Sequence, residues 1–551
     1  MYRTRLPAGH LVAVLAVVCG LLAAPPARAD SPWWEPVGRP APDVSVNVTG
    51  APFRGTGAGI GVRGFADVHN HVMSNLGFGG RLVCGKPYSE QGVADALADC
   101  PEHRPDGAGA LFENLTADGD WQHDPTGWPT FTDWPTPLTT THQQNYYAWL
   151  ERSWRAGQRV LVTDMVSNAV ICTILPAKDR GCDEMTAIRA QITATYDLQD
   201  YIDRMFGGPG KGWFRIVTDA GAARQVIEDG KLAVVLGVET SEPFGCRQVL
   251  DVPQCSQADI DRGLDELHAL GVRSMYLCHK FDNALCGVRF DEGTTGTLIN
   301  AGQFISTGTW WQTEQCRGDA ADNPITTVAL PDVVRDKLPA GTEVPTYADG
   351  AQCNTRGLTQ LGESAVRAMM QRGMMIEVDH MSARAADRTL DILAEHGYPG
   401  VVSSHSWMDL AYAERLYTLG GFLAVYDLDS AEFLAAARRT AALRNRFGTG
   451  LGIGSDYNGV GTHPVAPGPE SPSALTYPFR TLDGGAVVDR QQSGSRTFDF
   501  TRDGAAHVGM LPDWLEDVRL RGGEDVITDV QRGAESYLDT WSATQEFGSG
   551  G

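Results

Sequence analysis

The sequence predicts an α/β protein built as a (β/α)8 TIM-like barrel, with long insertions at the C-terminal face of the sheet. Three observations lead there. Eight short β-rich runs alternate with amphipathic helical patterns, as parallel strands with helical crossovers require. No glycine-rich dinucleotide fingerprint follows the first run, which argues against a doubly wound sheet. Several of the runs end in a histidine or a carboxylate, beginning with Asp67-Val68-His69-Asn70-His71.

The strand candidates are residues 62–71, 160–167, 232–239, 272–279, 374–380, 400–405, 422–427 and 450–456. Between them, residues 143–156, 184–205, 220–229, 257–270, 361–372 and 383–396 place apolar side chains at three-to-four spacing, the helical period. A glycine often follows such a stretch, as in Ala269-Leu270-Gly271, where a left-handed residue ends a helix. Three insertions interrupt the alternation, at about 75–140, 285–356 and 460–505. They are rich in Gly, Pro, Thr, Asp and Trp, and each follows a strand candidate, which in a barrel puts them over the face where sites are built. The functional reading is a lid over a pocket; the alternative is decoration.

The 551-residue chain, 42% hydrophobic, can bury a large core and has no disorder signature. A formal net charge of −23 argues against nucleic acid or an anionic membrane surface as partner. Residues 1–29 read as a secretion signal: Arg3 and Arg5 precede an apolar stretch over 11–24, and Ala27-Arg28-Ala29 supplies a small-x-small cleavage site. That stretch is short for a membrane span and no other run approaches the length, so the mature protein is expected to be exported and extracellular. Residues 30–60 form an irregular, Pro- and Gly-rich lead-in, and 61–551 the barrel domain with its insertions. Cys19 leaves with the signal, following Val18 rather than the small residue a lipid anchor wants. The other ten cysteines fall into sequence neighbours, Cys84/Cys100, Cys172/Cys182, Cys246/Cys255, Cys278/Cys286 and Cys316/Cys353. In an oxidising compartment such pairs close as disulfides. The rival, a cysteine zinc cluster, is disfavoured because no Cys-x-x-Cys occurs. No sequence feature indicates an oligomeric state.

Residues i and i+2 on a strand share a face, so His69 and His71 project together. An isolated His-x-His is ordinarily a polar-loop pair, a single strand-end His a hydrogen-bonded structural residue, Glu239 alone a salt-bridge partner and Asp456 alone a turn cap. Barrel geometry changes the weighing, because it converges His69, His71, Glu239, His279, His380, His405 and Asp456 on one mouth. Buried imidazoles and carboxylates without partners are costly, so such a group should bind metal or pair internally. Nitrogen and oxygen donors suit zinc, and also manganese, iron, cobalt or nickel. The set is large enough for two ions sharing Glu239, with a bridging water acidified toward ~7 and Asp456 relaying the proton. Asp67 reads as a supporting residue behind the ligands.

The series Asp67-Val68-His69-Asn70-His71, Gly237-Val238-Glu239, Leu270-Gly271-Val272-Arg273…Cys278-His279, Gly357-Leu358-Thr359…Leu361-Gly362, Val378-Asp379-His380-Met381-Ser382, Ser404-His405-Ser406 and Gly454-Ser455-Asp456-Tyr457-Asn458-Gly459 resembles the membrane (renal) dipeptidase family of the amidohydrolase-like, metallo-dependent hydrolases. The resemblance runs from about residue 62 to about 460 in the same order, leaving out the insertions and the C-terminal region. It implies a metallopeptidase with two zinc ions, or another divalent transition metal, acting on a dipeptide or small peptide-like substrate. By the same resemblance His69 binds one ion, Glu239 bridges, and His380 and His405 bind the second. His279 contacts substrate and stabilises the tetrahedral intermediate, Asp456 handles the proton, and Arg415 lies near the position of an arginine that holds the substrate carboxylate.

The chain departs from the family pattern. His71 stands where the family has Asp, which removes a negative charge from the ligand set. Thr240-Ser241-Glu242-Pro243 replaces a Gly-rich turn, and the insertions exceed what a dipeptide needs. Other amidohydrolases bridge with a carboxylated lysine, and Lys280 follows His279; strand parity turns it away and favours Glu239. Two further readings stand beside the peptidase. One is a hydrolase of the same fold for an ester, lactone or phosphoester. The other is a non-catalytic polymer-binding barrel whose insertion tryptophans (Trp121, Trp128, Trp134, Trp310, Trp311) stack on carbohydrate.

Overall fold

The computed structural model describes residues 32–52, 55–57, 61–116, 122–426 and 429–549. The signal segment, Cys19 and Trp121 lie outside the described residues. Eight parallel strands form the barrel: β1 Phe65–Asn70, β2 Gln158–Ser167, β3 Leu232–Thr240, β4 Val272–Tyr276, β5 Met375–Glu377, β6 Val401–Ser403, β7 Phe422–Tyr426 and β8 Gly452–Gly454. Ile453 pairs with Asp67 to join β8 to β1, and Val272 pairs with Leu236 to join β4 to β3, which closes the ring. The first residues of β3 pair instead with a short parallel strand, Phe214–Ile216.

The main helices are α1 Tyr147–Arg155, α2 Glu184–Met205, α3 Ala220–Glu228, α4 Gln257–Ala269, α5 Gln360–Gln371, α6 Ala383–His396, α7 Ala413–Leu419, α8 Ser430–Arg439 and α9 Gly533–Ser549. Local signals set their ends. Asp183 and Ser382 accept the backbone N–H of Thr186 and Ala385 to start α2 and α6. After α4 comes Gly271 at φ +97°, where a Cβ would stand 2.6 Å from the Tyr196 hydroxyl, so only glycine fits the turn into β4.

The barrel interior is apolar at its base. Val160, Val162, Ala233, Val235, Met375, Phe422 and Ala424 cluster with Tyr537, Leu538 and Trp541 of α9. Each such buried side chain contributes on the order of 2 kcal/mol. The N–H of Gly64 donates to the Gln531 carbonyl at 2.8 Å, so α9 starts beside the first residue of β1 and lies at the end of the barrel opposite the histidines. The sequence pattern assigned no element there.

The strands stop earlier than the pattern predicts. The last residues of β4, β5, β6 and β8 are Tyr276, Glu377, Ser403 and Gly454, so His279, His380, His405 and Asp456 stand in the loops above the sheet. The lead-in is not wholly irregular, since Val48–Thr49 pairs antiparallel with Val487–Val488 of the third insertion. All five sequence-neighbour disulfides occur. Among the described residues no helix is long and apolar enough to cross a membrane.

Candidate metal centre

All seven side chains singled out by sequence meet at the C-terminal mouth of the barrel in three overlapping groups: His69, His71 and Asp456; His69, Glu239 and His405; Glu239, His279 and His380, with Glu239 and His69 shared between groups. Within the second group His405 packs its ring on His69 at 3.9 Å between centroids, so the whole set shares one locus. Asp456 Oδ1 lies 3.0 Å from His71 Nε2 and 3.4 Å from His69 Nε2. Glu239 divides its carboxylate: Oε2 is 3.5 Å from His71 Nε2 and 3.8 Å from His69 Nε2, whereas Oε1 is 3.2 Å from His380 Nε2 and 3.7 Å from His279 Nε2. His380 and His405 bring their Nε2 atoms within 2.9 Å of each other.

Neighbouring side chains fix the imidazole tautomers. His71 donates from Nδ1 to the Asp164 carbonyl at 2.8 Å. His69 Nδ1 faces the Tyr276 hydroxyl at 2.9 Å and the Asp164 carboxylate at 3.3 Å. His405 Nδ1 faces Asp379 Oδ2 at 3.2 Å, and its backbone N–H donates to the same oxygen at 2.8 Å. With the protons on Nδ1, the Nε2 lone pairs point at one another, 3.2 Å apart for His69 and His71. Glu239 Oε1 is buried and receives no hydrogen bond. Lone pairs facing each other around an unsatisfied carboxylate fit a cation, and imidazole held by a carboxylate or carbonyl behind it is the usual metal-ligand arrangement.

Electrostatics agrees. Burial pushes the imidazoles of His380 and His405 well below their ordinary range, which keeps them neutral as ligands must be. Burial also opposes charge on His69, yet Glu239, Asp164 and Asp456 together hold it well above that range. Burial lifts Glu239 to about 7, against the pull of His69 and His71. The site thus carries surplus carboxylate that draws positive charge in. His380 and Asp456 sit in left-handed backbone, at φ +64° and +53°, a strained conformation that recurs at functional sites. Gly459 completes the corner, since a Cβ there would lie 1.9 Å from Asp456 Oδ1 and 2.7 Å from His71 Nε2.

Above the histidines opens a cavity of about 310 Å³. All three insertions line it, through Phe78 and Phe112, through Asp291, Thr295 and Ile299, and through Thr462. Lys280 lines it too, 2.9 Å from Asp291 and 5.0 Å over the Trp407 ring. Strand parity fails for Lys280 because β4 has ended at Tyr276, although the lysine remains outside the ligand groups.

Two expectations are overturned. Arg415 is not at this mouth: on α7 it pairs with Asp387 at 2.5 Å and Asp391 at 2.6 Å and borders a separate cavity, because its helix packs outside the barrel. Three of the insertion tryptophans do not offer a stacking face. Trp134 and Trp311 are fully buried and Trp128 packs on the core, since the insertions bury apolar side chains of their own. Asp67 sits behind the ligands as expected, accepting from Ser455 Oγ at 2.7 Å and from the Asn70 amide at 3.3 Å.

Sequence reasoning missed Asp164, Tyr276 and Trp407, and passed over Asp379 as a supporting residue. Asp164 has one sequence signal, its parity on β2 with the inward Val160 and Val162. Tyr276 reads from sequence as an ordinary strand aromatic.

No protein-family model matches the chain, and no curated protein matches it significantly. Among solved structures it is similar to an amidohydrolase from Pseudomonas aeruginosa, at 14% identity and a TM-score of 0.38, over 71% of this chain and 90% of that one. Another is the dipeptidase AC, a metallopeptidase of family M19, at 14% identity and a TM-score of 0.39, over 70% and 87%. A third is a metallopeptidase from Rhodobacter sphaeroides liganded with a phosphinate mimic of L-Ala-D-Ala, at 14% identity and a TM-score of 0.35, over 66% and 75%.

Proposed function

We propose that this chain is an exported, binuclear metal-dependent hydrolase, resembling the membrane dipeptidases, that cleaves an amide bond of a dipeptide or small peptide-like substrate. The observation that carries the reading is the division of Glu239, one oxygen toward His69 and His71 and the other toward His380 and His279. His69, His71 and Asp456 would hold one divalent ion and His380 with His405 the other, zinc being the first choice for nitrogen and oxygen donors. Bound there, the pair supplies Lewis acidity toward a carbonyl and lowers the pKa of water.

The chain's own groups do the rest. Burial disfavours charge on Asp456, but hydrogen bonds and charges from His69 and His71 keep it well below the usual carboxylate range, so it starts as a proton acceptor. It accepts the proton of the attacking water and returns it to the leaving amine. Burial keeps His279 neutral, which lets its ring N–H donate to the oxygen that gains negative charge in the transition state. Lys280, the only lysine or arginine among the described residues lining the cavity, meets the substrate carboxylate there. The five disulfides and the N-terminal signal pattern support export.

The test is a panel of dipeptides set against esters, lactones and phosphoesters after zinc reconstitution. Turnover of free-carboxylate dipeptides is expected; failure on all of them with turnover of an ester or phosphoester would reassign the bond.

A further inference from the structure

We propose that His103, His123 and His142, in the first insertion, form a separate site for one further divalent transition-metal ion, zinc in the first instance. The three residues are distant in sequence and belong to none of the barrel-mouth groups. Nothing in the proposed hydrolysis requires them.

Geometry carries the inference. His142 Nε2 lies 2.7 Å from His123 Nε2 and 3.0 Å from His103 Nδ1. The rings stand nearly perpendicular to one another, at 86°, 77° and 90°, and all three residues are buried. The other nitrogen of His142, Nδ1, is 3.1 Å from Cys100 Sγ, which is tied to Cys84 in a disulfide and has no proton to give. The His142 proton therefore belongs on Nδ1, pointing at sulfur, and Nε2 presents its single lone pair to two other ring nitrogens. A hydrogen-bonded trio would ask that one lone pair to accept from both neighbours. The reverse tautomer would set a nitrogen lone pair against those of the sulfur. An ion instead takes one lone pair from each ring.

The fit to metal is close. At metal–nitrogen distances of about 2.0–2.1 Å, tetrahedral ligands stand about 3.3 Å apart, so His123 and His103 need move from His142 by about 0.6 Å and about 0.3 Å. Burial drives His103 down to about 3 and His142 well below its ordinary range, which keeps both unprotonated. Three neutral imidazoles suit zinc and its neighbours and offer nothing to magnesium or calcium. Trp134 stacks on His142 at 4.5 Å and fixes its ring plane.

The site would act on the wall of the mouth. Asn458, two residues beyond Asp456, donates from Nδ2 to the His142 carbonyl at 2.8 Å and the Thr140 carbonyl at 3.0 Å. Its Oδ1 accepts from the Gln144 N–H at 2.9 Å. An ion on the trio thus clamps the first insertion to the loop that presents Asp456.

Elemental analysis of the zinc-loaded, dialysed full-length protein tests this, with His123→Gln, His142→Gln and His380→Ala as variants. Wild type is expected to exceed each trio variant by one equivalent, whatever the barrel mouth holds, while His380→Ala keeps that equivalent. Equal metal in wild type and both trio variants overturns the site, and metal loss confined to His380→Ala would do so while sparing the barrel centre. Should the trio variants misfold, anomalous scattering at the zinc edge from wild-type crystals decides. A peak enclosed by the three imidazoles is expected, and its absence beside an occupied barrel mouth rejects the proposal.

Discussion

The hydroxyl of Tyr276 stands 2.9 Å from Nδ1 of His69, and the two rings meet at 72°. The same oxygen lies 3.3 Å from Nδ1 of His405, so one phenol steadies imidazoles assigned to different halves of the centre. Burial raises the Tyr276 phenol well above its ordinary range, so it stays protonated throughout.

Tyr276→Phe should therefore weaken metal binding without removing a ligand. Loss of such a supporting hydrogen bond typically lowers metal affinity by about 10–100-fold. Competition with a chelator measures it, and hydrolysis should recover in excess zinc. Unchanged affinity would mean that the hydroxyl does not orient the histidines.

His380→Ala removes an imidazole that faces both Glu239, at 3.2 Å, and His405, at 2.9 Å. Metal content should fall and hydrolysis disappear while circular dichroism stays that of the wild type. Wild-type turnover in this variant would take His380 out of the site.

Lys280 and Arg415 make opposite predictions. Lys280→Met should raise KM for free-carboxylate dipeptides by about tenfold or more, as expected for loss of one charge-assisted hydrogen bond, with a smaller change in kcat. Arg415→Ala should leave both constants near wild type, since Arg415 is engaged with Asp387 and Asp391 outside the barrel. The reverse pattern would restore Arg415 as the carboxylate anchor.

Glu113 supplies a pH test outside the ligand groups of the barrel mouth. Burial lifts its carboxyl from 4.5 to about 7, although Thr141 donates to it from both backbone and hydroxyl. A folded-state pKa above the unfolded one means the native chain binds that proton more tightly. Stability from this group is present below the unfolded value and is lost as pH rises from about 4.5 through 7. Relative to Glu113→Gln, the wild type should lose on the order of 3 kcal/mol across that window. Denaturant melts of both proteins at pH 5 and pH 8 give the difference, and parallel pH profiles would show that Glu113 is not held up by burial.

Much of the fold was legible because its signals are local. Period-two and period-3.6 patterns, Asp183 and Ser382 as caps, and Gly271 after α4 each act within a turn of chain, and α2 and α6 fall on the predicted bounds. The disulfide pairs were legible for the same reason, since each closes a short loop. The C-terminal helix over the barrel base went unread, because no strand alternates with it to mark its place.

At the site, the sequence by itself determined which residues could be ligands: barrel topology sends the ends of all eight strands to one mouth, so histidines and acids there must converge. Tertiary structure alone decided what stands behind and beside them. Asp164 and Tyr276 became partners of His69, Arg415 was carried outside, Lys280 came into the cavity past the end of β4, and His103, His123 and His142 met in an insertion with no repeating pattern. The physical reason is range: periodicity encodes which way a side chain points from its own strand, whereas the loops beyond the strands are placed by packing and disulfides between distant segments, and no local pattern records those.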